Sequence, residues 1–188
     1  MKILMIGLGG IGQRHARNLR SMLSDRVELL AYRVRGFTHV VTPRLEADPS
    51  KNVETELDIQ VFPDLGLALA ERPDVAFVCN PTSLHVPIAL ACLRAGCDLF
   101  IEKPLSDRLD GIDELIHAAE QANRVAMVGY QFRFHPCVKT LASVIASGCL
   151  GHILGVRAMI GEHLPRWHPY EDYREMYAAR TSGGISSA

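Results

Sequence analysis

Three short stretches hold the residues most able to do chemistry. "GLGGIG" sets Gly7, Gly9 and Gly12 in a GxGxxG pattern, after the apolar run "KILMI" and at the mouth of a segment with helical period. In that setting the first glycine permits a tight turn, the second lets backbone approach a pyrophosphate, and the third lets helix and strand pack closely. The helix N-terminus, with Gly10 and Ile11 in it, offers N–H donors to the anion. The alternative is a glycine-rich turn without a ligand. "NPTSLH" supplies Asn80, Pro81 and His85, and "LFIEKPLSD" supplies Glu102 and Lys103 ahead of Pro104. The two prolines stiffen the exits of two predicted strands, so Lys103 is expected to be held in place. A fixed ammonium there can stabilise the charge that develops on a carbinol oxygen as hydride leaves its carbon, or pass a proton. Glu102 either orients Lys103 or makes an ordinary ion pair. His85 either touches a cofactor or packs under a loop.

The residue that reads a dinucleotide's adenosine ribose falls roughly twenty positions beyond the glycines, at the end of the second strand. The chain there reads "AYRVRG", with no carboxylate. Arg33 and Arg35 suit the 2′-phosphate of NADP, because guanidinium forks match phosphate oxygens. The other reading is a solvated basic turn. The expectation leans to NADP(H) with NAD(H) retained.

These groups need a scaffold that brings strand ends together. Short apolar runs alternate with segments of helical period, the pattern of successive βα units around a parallel sheet. Strands are predicted at "KILMI", "VELLAY", "IQVF", "DVAFVC", "DLFI" and "RVAMVG". Helices are predicted over 12–23, 65–71, 84–95, 109–123 and 136–147, with Gly96 closing the third and Asp107 opening the fourth. The stretch 34–58 reads as a long connection. The expected class is α/β, a doubly wound parallel sheet, with a remnant of a second domain after it. In such a sheet the carboxyl ends of the strands open onto the ligand crevice, which gathers Asn80, Pro81, His85, Glu102 and Lys103.

Composition narrows the partners. With 188 residues and 48% apolar content, one full core is expected. The formal net charge of -1 gives no basic stripe, so nucleic acid is not an expected partner, and a small molecule is. Five cysteines without CxxC or Cys/His spacing indicate neither a disulfide framework nor a metal site, which fits a reducing cytoplasm. The opening run is too short for a signal peptide or a membrane span.

Taken together, "GLGGIGQRH", "NPTSLH", "EKPLS" and "GYQFRFHP" resemble the Gfo/Idh/MocA oxidoreductases, named for glucose-fructose oxidoreductase and inositol dehydrogenase. The resemblance covers nearly the whole chain. It implies an NAD(P)-binding Rossmann domain over 1–130, then a linker helix and the start of a substrate domain over 131–188. It implies a sugar, cyclitol or polyol substrate, with Lys103 beside nicotinamide and substrate. In "GYQFRFHP", Gln131 and Arg133 can offer hydrogen bonds to cofactor or substrate, with a structural role for Arg133 equally open, while Phe132 and Phe134 are expected to pack in the core or at a domain junction. "HLPRWHP" gathers His163, Arg166, Trp167 and His168, either a sugar-lining loop or a solvated one.

The resemblance also sets an expectation that the tail does not meet. Family members continue into a DxGxH-like segment whose histidine partners the EKP lysine, and nothing after Gly184 matches it. A shortened gene product or a fragment is therefore expected. "HILGVRAMI" reads as a first strand of the second sheet, and its open edge would drive homo-oligomer formation. The function expected is NAD(P)-dependent hydride transfer, or alternatively a dinucleotide-binding module with little or no catalysis.

Overall fold

The computed structural model describes residues 1–34, 36, 38–161, 163, 166 and 170–176. Its elements run β1 (Lys2–Ile6), α1 (Gly10–Leu23), β2 (Glu28–Tyr32), β3 (His39–Val41), β4 (Ala47–Asn52), α2 (Val53–Leu57) and β5 (Ile59–Phe62). They continue with α3 (Leu65–Ala70), β6 (Val75–Val78), α4 (His85–Arg94), β7 (Asp98–Ile101), α5 (Ile112–Gln121), β8 (Ala126–Val128) and α6 (Pro136–Ala146). Six parallel strands form one sheet in the order β5-β2-β1-β6-β7-β8. The order reverses direction between β1 and β6, which makes their carboxyl ends the topological switch point of a doubly wound sheet.

Alternation along the strands explains why both faces are covered. Leu4, Ile6, Leu30, Val78, Leu99 and Ile101 enter one core with α4 and α5, while Ile3, Met5, Leu29 and Ala31 enter the other beneath α1 and α2. The central strands β1 and β2 are thus buried on two sides, as parallel strands require, while Met127 on the edge strand β8 is exposed. The α4 end is closed by Gly96 at φ +89°, with Gly96 N–H donating to Leu93 O (2.9 Å) and Cys97 N–H to Cys92 O (3.0 Å). That is a Schellman stop, and it fixes where β7 begins.

Four expectations are corrected. The stretch 34–58 is not a bare connection: it contains the β3–β4 hairpin and α2. Gln13 on α1 pins the hairpin, its amide donating to Leu8 O and His39 O (both 3.1 Å) and accepting from Val41 N–H (2.7 Å). Helix α5 starts at Ile112 behind Gly111 at φ +78°, so Asp107 does not cap it. The segment 152–160 forms no strand; its backbone is irregular and exposed, for want of a neighbouring ladder, and the expected route to self-association through its edge loses its carrier. Phe132 and Phe134 are 59% and 64% exposed, so of their two expected places the core is ruled out, the turn after β8 being uncovered among the described residues.

Candidate functional site

The glycine loop is built by contacts that leave no room for side chains on one side and ample room on the other. Gly7 takes φ +94°, and its N–H donates to the Tyr32 carbonyl at 2.9 Å, which ties the loop to the end of β2. A Cβ on Gly12 would run into the Gly7 carbonyl oxygen, with the Gly7 carbonyl carbon 3.1 Å away, so only glycine lets α1 sit this close to β1. A Cβ on Gly9 would meet nothing within 4 Å. That open face lies over the first turn of a 14-residue helix, where free N–H groups face outward. Ile11 beside it is 37% exposed.

At the exit of β6 the side-chain amide of Asn80 has both its nitrogen and its oxygen buried with no hydrogen-bond partner among the described residues. Buried polar atoms are rarely left so, because each orphan costs about 1–3 kcal/mol. A ligand with its own donors and acceptors would satisfy them. Pro81 follows, half-buried, and heads the turn into α4, with Leu84 N–H donating to its carbonyl at 2.9 Å.

His85 is 1% exposed, with Nε2 2.8 Å from the Asn80 carbonyl and Nδ1 3.0 Å from the Pro104 carbonyl. Of the two readings open from sequence, the packed one describes this ring: it clamps the β6 exit to the β7 exit. Lys103 and Pro104 are joined by a cis peptide bond.

Glu102 is 8% exposed. Its Oε1 lies 2.7 Å from His15 Nε2, and its Oε2 accepts from the Lys103 backbone N–H at 3.2 Å. His15 itself is wedged against Phe77 and Phe100, at ring distances of 5.6 and 5.0 Å. The pair therefore anchors the lysine's backbone, while the Lys103 side chain stands exposed. Removing one partner of a buried pair leaves a charge or a donor without compensation, so His15→Ala is expected to lower stability by roughly 3 kcal/mol in urea unfolding. An unchanged midpoint would show that the pair contributes nothing.

The remaining expected residues fare differently. Arg33 leaves β2 next to the glycine loop, but its guanidinium is bound to the Glu54 carboxylate. Arg133 is exposed on the turn 131–134 and makes no hydrogen bond or ion pair with Asn80, Glu102 or Lys103. His163 and Arg166 are exposed, and Arg35, Trp167 and His168 lie outside the described residues. Reasoning from sequence missed His15, Gln13 and Glu54. It also missed Tyr170, whose hydroxyl is 2.5 Å from where a Gly10 Cβ would stand. His15 was visible in "GLGGIGQRH", but nothing in the local pattern gave it a partner.

Residues 1–130 match the family model described as an oxidoreductase family with an NAD-binding Rossmann fold. The chain belongs to the Gfo/Idh/MocA oxidoreductase family. It is 30% identical over 187 residues to a myo-inositol 2-dehydrogenase of Thermotoga maritima, covering 98% of this chain and 50% of that protein. An inositol 2-dehydrogenase of Acidothermus cellulolyticus is 31% identical over 158 residues, 82% of this chain and 43% of its own length. Among solved structures, a probable dehydrogenase from Thermotoga maritima superposes with a TM-score of 0.64 at 29% identity, covering 80% of this chain and 42% of the other. The chain thus spans about half the length of the curated relatives it matches.

The family's NAD-binding fold fits what this chain offers at the switch point: a glycine loop open above Gly9, the first turn of α1 with the Tyr170 hydroxyl against Gly10, and an amide whose hydrogen bonds are unmet among the described residues. Among the described residues no helix is long and apolar enough to cross a membrane. All five cysteines are free, and burial pushes three thiols up: Cys79 far above its ordinary value, with the Glu102 charge adding to burial, Cys92 to about 12 and Cys97 to about 11. Thiolates are the reactive form. A disulfide reagent at mildly alkaline pH is therefore expected to label the two exposed residues, Cys137 and Cys149, rapidly and the other three only after denaturation. Fast labelling of all five would contradict this packing.

Proposed function

We propose that this chain binds a nicotinamide dinucleotide across the carboxyl ends of β1, β6 and β7 and, with Lys103, takes part in hydride transfer to or from a sugar, cyclitol or related polyol. The observation that carries this reading is the convergence at one switch point of the open Gly9 face, the unsatisfied Asn80 amide and the Glu102–Lys103 strand exit. The inositol dehydrogenase names of the relatives support the substrate class.

Bound nicotinamide would accept or donate the hydride. The chain's own residues supply the rest. Gly9, Gly10 and Ile11 present backbone donors to a pyrophosphate, and Gly7 and Gly12 hold that loop flat against β1 and β6. Asn80 offers its amide to the dinucleotide. His85 and the His15–Glu102 pair fix the backbone on either side of Lys103, so the ammonium projects from a rigid base. From there it stabilises a developing alkoxide or returns a proton to it. Arg133, exposed on the turn after β8, is proposed as a later contact to cofactor or substrate.

The second reading, a dinucleotide-binding module with little catalysis, is favoured by one observation. The described residues of α6 and of 150–160, in the part of the chain that would begin a substrate domain, are exposed. Self-association is proposed through the apolar side of α6, where Val138, Leu141 and Ile145 stand exposed. Titration with reduced cofactor followed by turnover assays on inositols and sugar nucleotides separates the readings. Binding with turnover supports the enzyme; binding without turnover supports the module.

A further inference from the structure

We propose that the Arg33–Glu54 pair sets the choice between the two nicotinamide dinucleotides, and sets it for NAD(H). This rests on the reading of the glycine loop as a dinucleotide site. Gly7 N–H donates to the Tyr32 carbonyl, so the chain leaves β2 at Arg33 directly beside that loop. The adenosine ribose of a dinucleotide lies at this strand end in a doubly wound sheet. From the sequence alone the place is cationic, suited to a 2′-phosphate.

The structure supplies the missing acid from a different element. Glu54, in the first turn of α2 and 21 residues along the chain from Arg33, binds the Arg33 guanidinium through Oε1. The Arg33 side chain is 11% exposed and the Glu54 side chain 34%, so the group turned outward is the carboxylate. The backbone that carries Glu54 is fixed. The Glu54 N–H donates to Asn52 Oδ1 at 2.8 Å, and the preceding Val53 is fully buried with its N–H on the Thr38 carbonyl, also 2.8 Å. The nearby cation Lys51 is already paired with Glu56 at 2.7 Å.

A ribose 2′-hydroxyl can donate to a carboxylate so placed. A 2′-phosphate carries close to two negative charges at neutral pH and would meet a like charge, with the Arg33 guanidinium already bound to it. The carboxylate therefore does the work usually given to an acid at the end of the second strand itself.

The test is a pair of titrations, NADH and NADPH, followed by fluorescence on the intact chain and on Glu54→Gln, with circular dichroism and urea midpoints as folding controls. The native chain is expected to bind NADH at least about tenfold more tightly than NADPH. Glu54→Gln is expected to shrink that ratio by about tenfold, chiefly by improving NADPH. The native ratio tests the proposal without any variant. NADPH bound as tightly as NADH or more so by the native chain, or an unchanged ratio in a folded Glu54→Gln, overturns the selectivity proposal and leaves the dinucleotide site standing. Failure of a folded native chain to bind either dinucleotide overturns both.

Discussion

Gly12→Ala is expected to cut NADH affinity by about a hundredfold and to lower the urea midpoint at the same time. The new methyl group would press on the Gly7 carbonyl oxygen and lie 3.7 Å from the Cys79 Cβ. The closest neighbour is backbone held by the Gly7–Tyr32 hydrogen bond, so it cannot turn aside as a flexible side chain would. Overpacking of this kind costs about 1–3 kcal/mol, released by backing α1 away from β1. That movement carries off the helix N-terminus on which a pyrophosphate would rest. Gly9→Ala is the informative companion. Gly9 has φ -69°, an ordinary value for alanine, and open space around its Cβ position. Its stability should stay within about 0.5 kcal/mol of the native chain. If a dinucleotide approaches over this face, its affinity should nonetheless fall, because the methyl group stands where the ligand must come. Titration and urea unfolding on both variants check the pair, and native affinity in both would remove the cradle from the account.

On the proposed role of Lys103 in hydride transfer, Lys103→Met is expected to lower the rate of that transfer by about 10²–10⁴ while leaving NADH affinity within a few-fold of native. The side chain is exposed, and the bonds that fix its place are made by its backbone and by its neighbours. Methionine keeps the length and removes the charge, so folding should be unaffected. Single-turnover absorbance at the reduced nicotinamide band, with substrate in excess, reads the chemical step apart from binding. A rate within threefold of native would mean that the ammonium neither stabilises charge nor moves a proton.

What the sequence made legible was local. Short apolar runs announced the strands of the main sheet, and Gly96 announced the end of α4. The GxGxxG glycines could be assigned separate duties because each duty is set by backbone geometry within six residues. What escaped depended on distant partners. "ADPSKN", with Pro49 and no apolar alternation, has nothing to mark it as β4. It is held by its antiparallel partner β3, and Gln13 on α1 holds β3 in turn. The His15–Glu102 pair spans 87 residues, and neither side chain reveals the other. The cationic reading of Arg33 could not include Glu54, because that carboxylate arrives from α2. "HILGVRAMI" erred in the opposite direction: its composition suits a strand, but a strand also needs a neighbour to satisfy its ladder, and none pairs with it here.

The central claim, that the switch-point crevice of this chain is a dinucleotide site, is tested most directly by titrating the folded native protein with NADH and following the cofactor's own fluorescence. Saturable enhancement with a dissociation constant in the micromolar range, lost in Gly12→Ala, is the expected result. A linear signal without saturation up to millimolar NADH, from protein shown to be folded, would contradict it.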